Sequence, residues 1–329
     1  MIKKTALQIF ENVKGKQICV IGDLMLDLYY FGDVKRISPE APVQIFEKDS
    51  SEVKLGGAAN VGLNIKSLGA IPYMIGVVGK DEEGKTLKKI FQKTGIDTEG
   101  IIEVNERPTT CKTRVIASSH HLLRIDSESK NDISEIIEKN ILELISSKIK
   151  DFHTIILQDY NKGVLTKSLI PQVIEIANTN NVKVLVDPKF NNFFEYKNVF
   201  VFKPNRKELQ DAFGRVPNTP DELDNLSKEL MYKLKCDNLV LTLGELGLWL
   251  YEKNGKEIIK DSIRTKARNV ADVSGAGDTV ISTLAVCISC GASIKDAVAI
   301  ANFAAGLVVE EVGIVPVNRD KLIQLILEQ

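Results

Sequence analysis

Short, continuous runs of Val, Ile and Leu alternate with amphipathic segments along most of this chain, and this alternation limits its possible folds more than any other feature. The strand-like runs cover residues 17–21, 73–78, 154–157, 182–186, 199–202, 239–243 and 248–251. Their apolar residues are mostly consecutive rather than alternating with polar ones. Such runs are typical of strands that are buried on both faces of a parallel sheet.

Helical patterns fill the intervals between these runs. They cover residues 58–68, 85–93, 133–149, 169–177, 220–234 and, with a break near Gly291, 277–309. Strands that alternate with helices predict an α/β fold with a doubly wound, mostly parallel sheet flanked by helices. Ligands of such sheets bind at the carboxyl ends of the strands. We interpret residues 1–329 as a single domain of this kind.

Two stretches interrupt the alternation, at residues 29–53 and 109–126. Each contains short β-like pieces and no helix, and the two lie too far apart in sequence to form one hairpin. We interpret them as two excursions of the main domain that build a small β-sheet lid over one side of the site. A lid of this kind would exclude water from the reaction. The alternative is two ordinary surface loops.

Bulk composition excludes several classes of partner. The formal net charge is −1, so no basic field favours nucleic acid or an anionic membrane. No stretch of about 18 uncharged apolar residues predicts a membrane span, and the first residues lack the apolar core of a signal peptide. Five cysteines without paired metal-ligand spacing suit the reducing cytoplasm.

The stretch 272–279 (Asp-Val-Ser-Gly-Ala-Gly-Asp-Thr) precedes an apolar run and predicts a tight loop that enters a helix. The unpaired N–H groups and dipole of a helix N-terminus, with Gly275, Ala276 and Gly277 beside them, would form an anion hole suited to phosphate. Asp278 lies in its first turn and could accept a proton from an attacking hydroxyl. The alternative is a turn whose Asp only caps the helix.

Two motifs early in the chain could hold a polyol. Asp23 and Asp27 follow the first strand-like run, and their carboxylates could accept hydrogen bonds from sugar hydroxyls; the alternative is turn capping. Gly56 and Gly57 open a helix of small residues, and Asn60 in its first turn offers both a donor and an acceptor. The alternative for this second motif is close packing of a helix on the sheet.

Later strand ends bring further polar residues to the same edge. Three successive runs end in Asp159-Tyr160-Asn161-Lys162-Gly163, in Asp187-Pro188-Lys189 and in Lys203-Pro204-Asn205-Arg206-Lys207-Glu208. Glu208 could reach a metal-bound water, or it could cap a helix start. After one more run, Thr242, Gly244 and Gly247 would let the backbone lie against a nucleotide, with a tight hairpin as the alternative.

Residues 56–60 (Gly-Gly-Ala-Ala-Asn) and 272–279 resemble the two signatures of the ribokinase-like, or PfkB, family of carbohydrate kinases. The resemblance spans nearly the whole chain and implies a ribokinase-like fold and an ATP-dependent sugar kinase. Residues 36–43 (Arg-Ile-Ser-Pro-Glu-Ala-Pro-Val) resemble in particular the kinases of D-glycero-β-D-manno-heptose 7-phosphate, which serve ADP-heptose and lipopolysaccharide precursor synthesis. This stretch is diagnostic because it lies in the lid, where kinases of different sugars diverge in sequence. Gln158 is a departure, since relatives tend to have a small residue there.

The resemblance implies a role for each motif. Asp278 would be the general base, and the N–H groups of Gly275, Ala276 and Gly277 would stabilise the transferring phosphoryl group. The sugar hydroxyls would contact Asp23, Asp27, Gly56, Gly57 and Asn60. The sugar's own phosphate needs cations, and the candidates, which the sequence does not rank, are Arg114, Arg124, Lys162 and Lys189.

The same resemblance places the nucleotide and its ions. ATP would lie along Asn205, Arg206, Lys207, Glu208, Thr242, Gly244, Gly247, the loop before Asp272, and Asn302. Mg²⁺ would keep several waters and few protein ligands, with Glu208 as the candidate. A monovalent cation such as K⁺ would bind near Asp272 and the turn at Gly313.

Other expectations concern partners and alternatives. A homodimer through the exposed β-edges of the lid is expected. Some relatives carry a nucleotidyltransferase domain with a His-x-Gly-His motif, which the three histidines here do not form, so adenylyl transfer is not expected. The alternatives are a kinase of ribose, a fructose phosphate or a nucleoside, and a non-catalytic sugar- or nucleotide-binding regulator. A nicotinamide-dependent enzyme would need a Gly-x-Gly-x-x-Gly fingerprint after the first strand, which is absent.

Overall fold

The computed structural model describes residues 2–118, 120–265, 271–311 and 313–328. Its helices are α1 (Ile2–Asn12), α2 (Ala58–Ser67), α3 (Glu82–Lys93), α4 (Glu135–Lys148), α5 (Leu169–Thr179), α6 (Arg206–Phe213), α7 (Pro220–Leu234), α8 (Ala276–Ser289), α9 (Ile294–Val309) and α10 (Arg319–Glu328). Its strands are β1 (Gln17–Gly22), β2 (Leu24–Ile37), β3 (Gln44–Gly57), β4 (Ile71–Gly79), β5 (Ile101–Val104), β6 (Thr110–Ala117), β7 (His120–Ser127), β8 (Thr154–Gln158), β9 (Lys183–Asp187), β10 (Val201–Phe202), β11 (Asn238–Thr242), β12 (Leu248–Asn254) and β13 (Glu257–Ile263).

The main sheet formed by the described residues has nine strands in the order β13-β12-β11-β10-β9-β8-β1-β4-β5. The pairs from β11 to β5 are parallel, whereas β11–β12 and β12–β13 are antiparallel. The chain leaves β1 for β4 on one side and returns to β8 on the other. This reversal opens a crevice at the carboxyl end of β1, where ligands of doubly wound sheets bind.

Helices cover both faces of this sheet, as the continuous apolar runs predicted. Ile18 and Val20 of β1 belong to one buried cluster, which packs against α1, α2, α8, α9 and α10. Cys19 and Ile21 point to the opposite face and join a second cluster with α4, α5 and α7. Because both faces of β1 are buried, the residues that point to either face are apolar.

The second sheet is four-stranded over the described residues, in the order β3-β2-β6-β7. It is built from two antiparallel hairpins, β2–β3 and β6–β7, which join through a parallel contact between β2 and β6. Its strands come from the two stretches that interrupt the helix–strand alternation. The first hairpin is longer than its stretch, because a single residue, Asp23, separates β2 from the end of β1, whereas the second covers residues 110–117 and 120–127.

The sequence pattern did not predict five elements, namely α1, α6, α10, β5 and β13. Helices α1 and α10 lie at the two ends of the chain, β5 and β13 are the edge strands of the main sheet, and α6 has a single buried residue. Elements with few buried side chains have a weak apolar periodicity. No helix in the described part of the chain combines the length and the apolar character that crossing a membrane requires.

Candidate active site

Polar side chains from five neighbouring strands meet at the carboxyl edge of the main sheet, directly beneath the start of α8. The strands β1, β8, β9, β10 and β11 end at this edge in succession. Their ends, and the residues that follow, carry Asp23, Gln158, Asp187, Lys203 and Thr242. The predicted strand-end cluster therefore lies at a single edge of the sheet, and the late glycine-rich loop faces this same edge.

The loop that enters α8 has the backbone that its glycines favour. Gly275 is the N-cap of α8 and adopts a left-handed conformation with φ of 79°, which glycine reaches without steric cost. A Cβ atom on Gly275 would lie 3.2 Å from Asn60 Nδ2, and one on Gly277 would lie 3.5 Å from Lys203 Nζ. The N-terminus of α8 is therefore open toward the cleft and has a buried ammonium group beside it.

The Asp278 carboxylate lies in the first turn of α8 and is 5% exposed. Its Oδ2 accepts a hydrogen bond from Asn60 Nδ2 at 2.8 Å. Its Oδ1 accepts bonds from the Tyr160 hydroxyl at 2.7 Å and from Gln158 Nε2 at 3.2 Å. The side chain of Asp278 does not cap its own helix, so the simple capping alternative has no support in the structure.

Burial raises the pKa of Asp278 to about 6. The hydrogen bonds from Asn60 and Tyr160 oppose this rise, the nearby Asp187 carboxylate adds to it, and the Lys203 ammonium opposes it. Lys203 is 3% exposed and forms an ion pair with Asp187 at 3.0 Å. A carboxyl group whose pKa lies just below neutrality is suited to accept a proton at neutral pH.

The Asp23 carboxylate accepts hydrogen bonds from the protein's own backbone. Its Oδ2 accepts the N–H groups of Tyr160 at 2.8 Å and Lys162 at 3.0 Å, and its Oδ1 accepts the N–H group of Val164 at 3.2 Å. The side chain is 1% exposed. These three hydrogen bonds anchor the loop after β8 to Asp23, and the expected sugar contact of Asp23 stays a prediction.

Asp27 lies at the junction between the two sheets. The carboxylate is 3% exposed and pairs with Arg114 of β6. Gly56 and Gly57 of β3 pair with Met25 and Leu24 of β2, and a Cβ atom on Gly56 would collide with the Asp27 carboxylate. Gly57 has φ of 56° and precedes α2. Gly56 thus allows β3 to approach the Asp27 side chain closely, and Gly57 allows the close approach of the Asp23 carbonyl and Met25.

Asn60 is wholly buried in α2, where its side-chain amide contacts the Asp278 carboxylate. Asn64 supports it from the next turn by donating to the Asn60 backbone carbonyl at 3.0 Å. Asn60 thus donates to the Asp278 carboxylate, and its expected contact with a sugar hydroxyl stays a prediction.

The predicted phosphate-binding cations differ in their surroundings. Lys162 is 9% exposed and pairs with Glu128 at 2.8 Å. Lys189 pairs with Glu208 and lies over the Tyr160 ring. Arg124 lies on β7, where its largely exposed side chain pairs with Asp126 at 2.9 Å. Lys189 therefore borders the cleft, whereas Lys162 is buried against Glu128 and Arg124 lies on the second sheet.

The residues predicted to bind the nucleotide line two adjoining cavities. One, of about 470 Å³, contains Asn205, Arg206, Lys207 and Glu208 together with Asp278. The other, of about 570 Å³, contains Gly247 and Asn302. Both cavities are bordered by Thr242, Gly244 and Gly277, so they form one groove that leads to the anion hole. Part of the expected loop before Asp272, residues 266–270, lies outside the described residues.

The two predicted metal-binding carboxylates already have partners. Glu208 accepts the Asn205 N–H at 2.8 Å and completes a capping box at the start of α6. Asp272 accepts the N–H groups of Ser274 at 2.9 Å and Gly313 at 3.1 Å. Among the described residues, no three His, Cys, Asp or Glu side chains converge as metal ligands would.

Four residues that contact Asp278 or border the N-terminus of α8 were not assigned a role from the sequence. They are Gln158, Tyr160, Asp187 and Lys203. All four stand at or just after strand ends, and this position was the signal that could have identified them. Their mutual contacts join strands that are distant in sequence, so no local pattern ranks them above their neighbours.

The chain matches the family model described as pfkB family carbohydrate kinase over residues 16–320. It therefore belongs to the pfkB family of carbohydrate kinases. This membership confirms the family resemblance and the predicted enzyme class, a phosphotransferase with a sugar hydroxyl as acceptor.

Two curated relatives share the name Bifunctional protein HldE. The protein from Citrifermentans bemidjiense is 38% identical over 313 residues, which are 95% of this chain and 64% of the relative. The protein from Aliarcobacter butzleri is 41% identical over 309 residues, which are 94% of this chain and 64% of the relative. The chain thus spans slightly less than two thirds of the length of these relatives.

Solved structures share the fold at lower identity. Arabidopsis thaliana ribokinase, complexed with ribose and ATP, superposes with a TM-score of 0.74 at 21% identity and covers 95% of this chain and 99% of its own. Escherichia coli phosphofructokinase-2 in complex with potassium gives a TM-score of 0.76 at 17% identity, with coverage of 95% and 98%. These likenesses confirm the predicted ribokinase-like α/β fold.

Proposed function

We propose that this protein transfers the γ-phosphoryl group of ATP to the anomeric hydroxyl of D-glycero-β-D-manno-heptose 7-phosphate, giving the 1,7-bisphosphate and ADP in the synthesis of ADP-heptose. The observation that carries the proposal is the Asp278 carboxylate, which lies in the first turn of α8 where the cleft meets the nucleotide groove. A base beside a helix N-terminus can deprotonate a hydroxyl while the N–H groups stabilise the phosphoryl oxygens.

The reaction assigns a function to each part of the cleft. Asp278 takes the hydroxyl proton, the hydroxyl oxygen attacks the γ-phosphorus, and the bond from phosphorus to the ADP oxygen breaks. The N–H groups of Gly275, Ala276 and Gly277, with the Lys203 ammonium, stabilise the charge on the transferring group. Alignment of acceptor, donor and base supplies much of the acceleration. Asp27 holds a sugar hydroxyl, and Lys162 and Lys189 face the sugar phosphate.

Two kinds of ion fit this groove. Mg²⁺ would neutralise charge on the ATP phosphates, and it binds through phosphates and waters with few protein ligands. The lack of a protein-only metal cluster in the described chain is compatible with this mode. Glu208 would contact its waters. A monovalent cation such as K⁺ would bind beside Asp272, whose carboxylate already draws the turn at Gly313 toward the anion hole.

Support for the heptose phosphate as the acceptor comes from two sources. Residues 36–43, at the end of β2 and in the turn to β3, resemble heptose 7-phosphate kinases, and the curated relatives are Bifunctional protein HldE. The test is an ADP-coupled assay with heptose 7-phosphate, ribose, fructose 6-phosphate and a nucleoside. We expect kcat/KM for heptose 7-phosphate to exceed the others at least 100-fold. An equal or greater kcat/KM for another acceptor would contradict heptose 7-phosphate as the substrate and favour that acceptor instead.

Turnover is expected to depend on pH through the base. The pKa of Asp278 is raised to about 6, and the carboxylate is the active form. The kcat should therefore be level above pH 7 and fall about tenfold per pH unit below pH 6. The kcat is measured at saturating substrates, so that titration of the sugar phosphate does not enter. An acid limb centred near pH 4 would contradict this assignment.

We also propose that two copies associate through the second sheet, which covers the cleft as a lid. Every residue of the edge strand β7 is exposed, and Leu123 and Ile125 are 57% and 51% exposed on one face. An exposed apolar edge strand is a site for pairing with another chain.

The double substitution Leu123→Glu and Ile125→Lys is expected to convert a dimer to a monomer, measured by light scattering after size exclusion. Ile136→Glu on α4, where the side chain is 74% exposed, is the control and should leave the dimer intact. If the wild-type protein were monomeric at micromolar concentration, the proposed dimer would be contradicted.

A further inference from the structure

The side chain of Gln158 lies between two carboxylates at the carboxyl end of β8. Its Nε2 is 3.2 Å from Asp278 Oδ1 and 3.1 Å from Asp187 Oδ2. An amide nitrogen carries two hydrogens, so it can donate to both oxygens at once. Gln158 is 1% exposed, which excludes water from this bridge. It is also the position at which the sequence departs from the small residue that the family resemblance implies.

Tyr160 supplies a second donor from the same strand end. Its hydroxyl lies 2.7 Å from Asp278 Oδ1, the oxygen that also contacts Gln158. The backbone of Tyr160 is fixed in turn, because its N–H group is bonded to the buried Asp23. Both donors to Oδ1 thus come from one short segment at the end of β8, and Asp23 anchors that segment.

The two oxygens of the base therefore have unequal surroundings. A carboxylate oxygen offers about two lone-pair positions. Oδ1 already accepts bonds from Tyr160 and Gln158, whereas Oδ2 accepts one from Asn60. The remaining acceptor position is on Oδ2, and this is where a substrate proton can be received without breaking a protein contact.

Charged groups around the base act in opposite directions. The groups that face Asp278 from the elements packed on it are Tyr160, Asp187, Lys189 and Lys203. The Asp187 carboxylate disfavours ionisation of Asp278, while Lys203 favours it. The Gln158 amide lies directly between the two carboxylates and offers one N–H to each. Without the Gln158 N–H groups, the repulsion between the Asp278 and Asp187 carboxylates would be less compensated.

We propose that Gln158 and Tyr160 are positioning residues that keep the general base ionised, fix its orientation through Oδ1, and leave Oδ2 to accept the proton of the sugar hydroxyl. The inference rests on the proposed function only in taking Asp278 as the base. Neither residue needs to touch the substrate, since each acts through the carboxylate.

The test uses Gln158→Met and Tyr160→Phe, which remove the donors and nearly preserve side-chain size. The first readout is an NMR titration of the aspartate side-chain carbon of Asp278, assigned by its loss in Asp278→Asn. Each variant should raise the titration midpoint by about 1 pH unit. The acid limb of kcat should move up equally, with KM for ATP unchanged. Gln172→Met, at an exposed glutamine of α5, is the matched control and should shift neither.

The outcomes separate this inference from the proposed function. An unchanged or lowered midpoint in both variants overturns the inference, even when the wild-type protein phosphorylates the sugar. A raised midpoint in both supports it, and the titration gives this result even when no sugar is turned over. A raised midpoint in one variant alone removes the other residue from the proposal. A purely structural role would change the melting temperature and leave the midpoint in place.

Discussion

Asp278→Asn is expected to lower kcat about 10²–10⁴-fold, the usual effect of removing a general base, while ATP binding stays near the wild-type value. The asparagine has the same shape and can still accept a hydrogen bond from Tyr160. It cannot take a proton from the sugar hydroxyl. The measurement is single-turnover kinetics together with calorimetric titration of an ATP analogue. Turnover within a factor of three of wild type would remove Asp278 from the role of base.

The same variant should not be less stable than the wild-type protein at pH 8. The pKa of Asp278 is raised from 3.8 to about 6 in the folded protein. A carboxyl group whose pKa rises on folding destabilises the fold in its ionised form, so this cost is absent below about pH 4 and complete above about pH 6. The neutral amide avoids it. A thermal melt at pH 8 therefore serves as the folding control, and lost activity with an unchanged or raised Tm isolates the chemical effect.

Asp23→Ala is expected to lower the free energy of unfolding by about 2–4 kcal/mol. The change leaves three N–H groups, those of Tyr160, Lys162 and Val164, without their acceptor. The loop after β8 then loses its anchor, so kcat should fall as well, because Tyr160 no longer holds the base in place. The stability change is measured by urea unfolding followed by circular dichroism.

The comparison variant for this experiment is Asp27→Asn. Asp27 lies four residues further along and pairs with Arg114 at the junction of the sheets. It is expected to raise KM for the sugar at least tenfold and to lower the free energy of unfolding by about 1–3 kcal/mol, because the largely buried Arg114 loses its charged partner. If Asp23→Ala instead raised the sugar KM with an unchanged unfolding midpoint, the original interpretation of Asp23 as a sugar ligand would be correct.

The fold was predictable to the extent that local patterns determine it. Continuous apolar runs identified the central strands because burial on both faces requires apolar residues at every position. Helix α1, by contrast, has only three buried residues. Its apolar periodicity is therefore too weak to distinguish a helix from an irregular polar terminus. The short strand β13 is an edge strand with few buried positions and gives an equally weak signal.

The location of the candidate site was predictable from the sequence, but the roles of its individual residues were less predictable. Strand ends and glycine-rich turns indicated the correct edge of the sheet. They could not show that Asp23 would bond to backbone groups 137 to 141 positions away. Nor could they show that Gln158 would lie between two carboxylates contributed by β9 and α8. These contacts depend on how distant strands are brought side by side, which no local pattern encodes.

The central claim is that one cleft aligns the sugar hydroxyl, Asp278 and the γ-phosphate. A crystal structure with heptose 7-phosphate, Mg²⁺ and a non-hydrolysable ATP analogue tests it most directly. We expect the anomeric oxygen within hydrogen-bonding distance of Asp278 Oδ2 and in line with the γ-phosphorus, which lies against the N-terminus of α8. A sugar bound on a separate surface, or a γ-phosphate remote from Gly275 and Gly277, would contradict the account.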